Sequence, residues 1–379
     1  MRFSIIFSIF TLFSFTTVDS QIKVNALVQN DKGSPIPYAT VFNSATNRGV
    51  ITNVEGRFEI DCSTSDSITI RCIGYKEHKC VAEQLQNTGI VFLKNAVHEL
   101  NEVVVTPIDV KSIIKKFHAN IQRNYPKKAA KISGIYKGYS LVWNEYYGYI
   151  QCDLDVFIES IASKSPPSYQ TKVYDYTSLR SSDENKKKWQ IDADYSFSLF
   201  WLYKYSFLWD FKKYQYNHAG YTTYNEAELI KINFHPKNTD ILKMQFTGTL
   251  YIDNKTYALV FLHYELKQPY VMDFISYKGN WQKTETLENK IMFEFYDGFY
   301  YPTYVISKAT MTNLQLSEST TVDYLYNFFT KHIEYNPKKF VGDTISPVHL
   351  INTGTLNQSS DYKSDFILET EQEKQLLER

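Results

Sequence analysis

At 379 residues the chain is long enough for two domains with cores of their own. Lys plus Arg and Asp plus Glu both number 41, so in sum no field of one sign draws in nucleic acid or an acidic membrane surface. The 31 Tyr and 25 Phe favour strands over helices, with rings on half-buried sheet faces and hydroxyl tips in water.

Met1 to Ser20 reads as an export signal. Arg2 supplies the positive head, Phe3 to Phe15 an apolar stretch too short to span a bilayer, and Val18-Asp19-Ser20 the small-residue pattern of a cleavage site. Cleavage is expected after Ser20, which leaves a mature chain beginning at Gln21 in the periplasm or at the outer membrane. The first cysteine is Cys62, far from that point, which disfavours a lipid-anchored N-terminus.

From Ile22 to Thr106 the chain is a series of short β-rich runs broken by turn residues. Val24, Ala26 and Val28 alternate with Lys23, Asn25 and Leu27 before Asp31-Lys32-Gly33-Ser34-Pro35, which predicts a strand with one buried face followed by a turn. Several such strands at close spacing predict a small β-sandwich. Thr52-Asn53-Val54-Glu55-Gly56 carries oxygen-bearing side chains, yet it runs straight into Arg57-Phe58-Glu59-Ile60 without the further bidentate acid of a calcium loop. A turn is expected there, with Asn53 and Gly56 able to take positive φ. Cys62, Cys72, Cys80 and Cys152 have no Cys-x-x-Cys spacing, so buried free thiols are expected ahead of any bridge or metal site.

The order Gly33-Ser34-Pro35-Ile36-Pro37-Tyr38-Ala39-Thr40-Val41, Thr52-Asn53-Val54-Glu55-Gly56-Arg57-Phe58, Ile73-Gly74-Tyr75 and Leu100-Asn101-Glu102-Val103-Val104-Val105 resembles the carboxypeptidase-regulatory-like domain. The resemblance implies a transthyretin-like sandwich without peptidase chemistry. Such domains sit at the front of TonB-dependent receptors and of uncharacterised exported proteins in Bacteroidota-type bacteria.

Thr106-Pro107-Ile108-Asp109 reads as a capping box with Pro in the first helical position, and Val110, Ile113, Ile114, Phe117 and Ile121 follow at helical spacing until Pro126. Lys111, Lys115, Lys116, Arg123, Lys127 and Lys128 are expected to face solvent. The division is therefore 1–20 signal peptide, 21–106 sandwich, 107–126 linking amphipathic helix, 127–340 antiparallel β-rich domain and 341–379 C-terminal extension with a short helix.

In the second domain, Ile132 to Trp143 and Tyr146 to Phe157 predict a hairpin around Asn144-Glu145, and Tyr195 to Phe211 a mixture of helix and loop. The clearest hairpin runs from Lys243 to Leu266. Met244, Phe246, Leu250 and Ile252 form its apolar face, Asp253-Asn254-Lys255 turns, and Ala258, Val260, Leu262 and Tyr264 resume the alternation. Ala227 to Pro236, Lys290 to Tyr296 and Tyr301 to Met311 add strands, with Asp297-Gly298 as a turn. Ile232-Asn233-Phe234-His235-Pro236, Phe246 to Asp253 and Gly298-Phe299-Tyr300-Tyr301-Pro302 look like the C-terminal half of uncharacterised exported Bacteroidota proteins. Gly248-Thr249-Leu250-Tyr251-Ile252-Asp253 is also similar to strands of outer-membrane lipoprotein carriers.

Chemistry-bearing motifs are scarce. The eight histidines include no His-Glu-x-x-His, and neither a Gly-x-Ser-x-Gly elbow nor a phosphate-cradling loop occurs. Asp153-x-Asp155 places two carboxylates on one strand face, where solvent-facing charges are the expectation. The fold expected is all-β with a linking helix: a sandwich, then a larger curved antiparallel sheet. The function expected is a non-catalytic envelope binding or scaffold protein, without cofactor, metal or nucleic acid, whose partner is an envelope protein or a lipid and which associates peripherally with the outer membrane. Its competitor is lipid or lipoprotein handling through an apolar cavity on the second-domain sheet.

Overall fold

The computed structural model describes residues 21–96, 108–142, 145–180, 198–238, 243–267, 269–276, 280–313, 320–338 and 364–377. The export segment and the Leu100 to Pro107 stretch lie outside them. The first unit contains β1 (Gln21–Asn30), β2 (Thr40–Asn43), β3 (Arg48–Ile51), β4 (Arg57–Ser63), β5 (Ser67–Arg71), β6 (His78–Val81), α1 (Ala82–Thr88) and β7 (Ile90–Leu93). One sheet has the order β4-β1-β7, and the other has the order β3-β2-β5-β6. Both contribute to one core, in which Val24, Ala26, Val28 and Phe58 of the first sheet meet Val41, Ile68 and Ile70 of the second. The alternation read from β1 is therefore the one that buries. Helix α1 was not foreseen. It is short, buries Ala82 and Leu85 one turn apart, and stops at Gly89, whose φ of 63° closes the cap onto Leu85.

The turn after β3 forms as expected, by a different division of labour. Gly56 takes the positive φ (74°), where a Cβ would lie 2.7 Å from the Val28 carbonyl oxygen, whereas Asn53 works through its side chain. Its Oδ1 accepts from the backbone N–H of Glu55 and of Arg57, both at 3.0 Å. All four cysteines are free thiols.

Helix α2 (Val110–Asn124) begins three residues later than the capping-box reading placed it, because Asp109 is the residue that caps it: its Oδ1 accepts from Ser112 N–H at 3.0 Å. Ile113, Ile114, Phe117 and Ile121 are buried as their spacing requires.

The rest is one eleven-stranded antiparallel sheet built from β8 (Ala130–Val142), β9 (Glu145–Ile158), β10 (Tyr169–Arg180), β11 (Tyr214–Tyr224), β12 (Ala227–Pro236), β13 (Phe246–Asp253), β14 (Leu259–Leu266), β15 (Tyr270–Ser276), β16 (Asn280–Tyr296), β17 (Phe299–Asn313) and β18 (Thr320–Tyr335). Its order is β10-β9-β8-β18-β17-β16-β14-β13-β12-β11, with β15 paired beside β14 on β16. β18 closes back between β8 and β17, so the first and last strands of the domain pair inside the sheet. Register shifts at Ser140/Leu141, Tyr251/Ile252 and Met292/Phe293 are bulges of the kind that bend long strands. Gly248 leaves room for its neighbour strand: a Cβ there would lie 2.1 Å from the His263 carbonyl oxygen of β14.

The sheet has two differently covered faces. Helix α2 and the segment from Ser198 to Phe211 pack on one, with Tyr125 edge-on to Phe293 at 5.5 Å and Phe200 against Phe328 at 5.5 Å. The segment consists of irregular chain with 3-10 turns at 202–204 and 206–208, in keeping with the expected mixture. On the other face the sandwich docks through Tyr38, whose ring lies 6.3 Å from Tyr304 and 6.1 Å from Phe329. Since the sandwich core is otherwise drawn from its own residues, a fragment of residues 21–106 is expected to fold alone. Dispersed amide chemical shifts would bear this out, and collapsed ones would show that its core needs the large sheet.

Candidate functional site

Three separate parts of the chain meet on the sandwich-bearing face of the large sheet. The third is a C-terminal segment, Ser364 to Leu377, ending in α3 (Glu371–Leu377). Ile51, at the end of β3, donates its backbone N–H to the Phe366 carbonyl at 2.9 Å and forms a parallel bridge with Ile367, so the segment adds to the edge of the four-stranded sheet. The Asn53 turn continues the contact. Its Nδ2 donates to the Glu369 carbonyl at 3.4 Å, and Glu55 Oε1 accepts from Glu371 N–H at 3.2 Å.

Helix α3 starts with a reciprocal cap. Thr370 N–H donates to Glu373 Oε2 at 2.7 Å and Glu373 N–H donates to Thr370 Oγ1 at 3.2 Å. The same Glu373 oxygen accepts from Lys137 Nζ at 2.7 Å, with both side chains only 4% exposed. Lys137 rises from β8 and Asn327 from β18, which are directly paired in register. The large sheet and the C-terminal segment thus share one buried ion pair, with Tyr38 and Asn53 of the sandwich lining the space beside it.

Beside the pair lies a cleft of about 100 Å³ lined by Tyr38, Asn53, Lys137, Tyr139, Asn327 and Glu373, among others. The Tyr38 hydroxyl and the Asn327 side chain are buried side by side at its wall, close enough for Asn327 to act on the phenol. Burial holds the Tyr38 hydroxyl well above the usual phenol range, and burial together with the Glu373 carboxylate pushes Tyr139 up to about 12. Both phenols are neutral donors. With Lys137 and Glu373 neutralising each other, the cleft offers neutral hydrogen-bonding groups between tyrosine walls.

The residues singled out in the sequence lie elsewhere. Phe246 packs 5.1 Å from both Phe207 and Tyr264, while Leu250 and Ile252 are buried, so this face is covered by the chain's own aromatic segment. Asp153 and Asp155 do not converge on a ligand. Asp153 pairs with Lys331 at 3.1 Å, and Asp155 is buried rather than solvent-facing, because the Tyr174 hydroxyl covers it from β10 and donates at 2.6 Å. On α2, exposed Lys111 and Lys116 stand over the rings of Phe211 and Tyr257 at 5.4 and 4.7 Å. Among the described residues no group of three or more His, Cys, Asp or Glu is placed to hold a metal ion.

The cleft residues were missed by sequence reasoning, although a signal existed. Lys137 and Asn327 interrupt faces otherwise made of Ile135, Tyr139, Leu325 and Phe329, and Thr370 with Glu373 has capping-box spacing.

Comparison with known proteins assigns the first unit. The CarboxypepD_reg-like domain family matches residues 26–105, so the chain carries an N-terminal domain of that type. The TonB-dependent receptor SusC of Bacteroides thetaiotaomicron is 34% identical over 95 residues, which is 24% of this chain and 9% of the receptor. Solved structures with some likeness include a LolA superfamily protein from Nitrosomonas europaea (TM-score 0.22, 9% identity, 61% of this chain and 96% of that one). A DUF1329 family protein from Desulfovibrio piger gives 0.27, 10%, 60% and 93%, and an outer membrane lipoprotein-sorting protein domain from Vibrio parahaemolyticus gives 0.24, 10%, 59% and 91%. At TM-scores this low the three likenesses carry no argument about fold or function.

Proposed function

We propose that this chain, with a CarboxypepD_reg-like domain ahead of a large antiparallel sheet, is a non-catalytic binding protein of the cell envelope whose junction cleft takes a small neutral, hydroxyl- or amide-bearing ligand. The observation that carries the reading is the junction cleft itself, about 100 Å³, walled by Tyr38, Tyr139 and Asn327 beside an ion pair whose two charges cancel. A charged ligand would bring an uncompensated charge into this setting, whereas a neutral one hydrogen-bonds at little desolvation cost. The export reading of Met1 to Ser20 and the similarity of the first domain to a stretch of a TonB-dependent receptor support a place in the periplasm or at the outer membrane.

Thermal unfolding against a panel of neutral polyols, monosaccharides and small amides tests the proposal. At least one class is expected to raise the melting temperature of the wild type and not of Asn327→Leu or Tyr38→Phe. A panel without any shift, together with a crystal structure showing only ordered water in the cleft, would sink it.

Lipid handling is the second reading, and one observation favours it. Asn289, wholly buried on β16, has neither carboxamide atom hydrogen-bonded, and it alternates with Ile291 and Phe293 on the face that α2 covers. A lipid ester or headgroup would supply the missing partners. The buried rings of the Ser198 to Phe211 segment already occupy much of that face, which is why the junction cleft is preferred.

A further inference from the structure

We infer that one end of the large sheet is a docking surface for an anionic lipid bilayer. The β16–β17 hairpin turns through Asp297 and Gly298, with φ of 46° and 92°, and carries Phe295 and Tyr296 just before the turn at 62% and 51% exposure. Phe295 is the most exposed of the large apolar side chains among the described residues. A turn of this type needs no aromatic flank. Beneath the tip the rings are packed: Phe295 lies 5.4 Å from Tyr300, and Phe299 lies 5.2 Å from Tyr335. The tip therefore projects from a rigid base.

Charges of both signs surround it, and the lysines in this set are unpaired among the described residues. Tyr335 pairs with Ala130, and Asn336 N–H donates to the Ala129 carbonyl at 2.8 Å, which brings exposed Lys127, Lys128 and Lys338 together on one side of the tip. On the other side the β13–β14 turn presents exposed Lys255, tied to the hairpin by Thr256 Oγ1 and the Tyr300 hydroxyl 3.3 Å apart. Three lysines elsewhere on the sheet are matched, Lys131 with Glu334, Lys290 with Glu288 and Lys331 with Asp153, while Lys172 and Lys231 lie over tyrosine rings. The four at this end have no carboxylate partner among the described residues. The acids nearby are Asp297 at the tip, Glu294 beside Phe295 and held by the Tyr224 hydroxyl, buried Asp253, which accepts from the Lys255 N–H, Glu334 held by Lys131, and Glu228 held by the Asn254 side chain at 2.7 Å, with exposed Glu226 one hairpin further out.

Exposed rings backed by unmatched lysines fit the interfacial zone of a bilayer, where an aromatic body sinks to headgroup depth and ammonium groups meet lipid phosphates. The chain-wide charge balance does not oppose this. Screening confines the effect to charges within about 10 Å of the surface, so the end of the sheet is attracted on its own account.

The test is cosedimentation of the chain from Gln21 onward with phosphatidylcholine vesicles lacking or containing about a third phosphatidylglycerol. Starting at Gln21 removes the apolar run of Met1 to Ser20, which would bind vesicles by itself. Binding is expected to the anionic vesicles and to fall with added salt. The double variant Phe295→Ser, Tyr296→Ser should weaken it by about tenfold or more, and Lys→Gln changes at 127, 128, 255 and 338 by about fivefold each. A Phe295→Trp variant gives a reading independent of those changes, since its fluorescence should shift to the blue with anionic vesicles only. Wild-type protein left in the supernatant, an unshifted tryptophan, or well-folded Ser and Gln variants that bind like the wild type would each overturn the inference.

Discussion

Replacing Phe234 by Ala should lower the unfolding free energy by about 3–5 kcal/mol, and replacing Phe246 by Ala by about 2–3 kcal/mol. Phe234 is 1% exposed, packed 5.4 Å from Phe207 and 6.2 Å from Tyr214. Phe246 is half-buried on the same face and meets Phe207 at 5.1 Å, so its removal opens a smaller void. Both values follow from the segment of Ser198 to Phe211 behaving as core. If the face instead closes over a lipid, part of each ring's contact is with that lipid, and delipidated protein would lose much less stability while fatty-acid binding fell. Chemical denaturation of delipidated variants beside a fluorescent fatty-acid assay separates the two. A near-unchanged midpoint with lost binding would install the lipid handler in place of the junction cleft.

The parts of the fold legible in the sequence were those written by local alternation. Val24, Ala26 and Val28, the Lys243 to Leu266 hairpin and the stripe of α2 announce their buried faces because one partner environment covers each whole element. The cap of α2 misled because Thr106-Pro107 and Asp109 both have capping chemistry, and only the hydrogen bond to Ser112 decides between them. β18 was passed over, although Val322, Tyr324, Tyr326 and Phe328 alternate clearly, because no turn signal of the Asp-Gly kind precedes it. The cleft was unreadable for a different reason. Tyr38, Lys137, Asn327 and Glu373 span 335 positions of the sequence, and what makes them one site is the docking of three units, which no window of residues contains.

That docking can be measured at the buried Lys137–Glu373 pair. Removing one partner, as in Glu373→Ala, should destabilise the protein by about 3–5 kcal/mol. The reason is asymmetric: the lost attraction matters less than the Lys137 ammonium left 4% exposed without a carboxylate to receive it. The same carboxylate caps Thr370 N–H, so α3 should lose its first turn as well, and with it the contact of Glu371 N–H to Glu55. Lys137→Met alone strands the carboxylate and should cost a similar amount, but Lys137→Met with Glu373→Leu replaces the pair by apolar groups of comparable volume. Buried pairs treated this way are often neutral or stabilised, so the double variant is expected to recover most of the loss of either single change, apart from the cap contribution of about 1 kcal/mol. Urea unfolding of the four proteins gives the coupling directly. Additive single effects would mean that Lys137 and Glu373 are solvated separately in solution, and that the C-terminal segment does not hold the sandwich to the sheet through them.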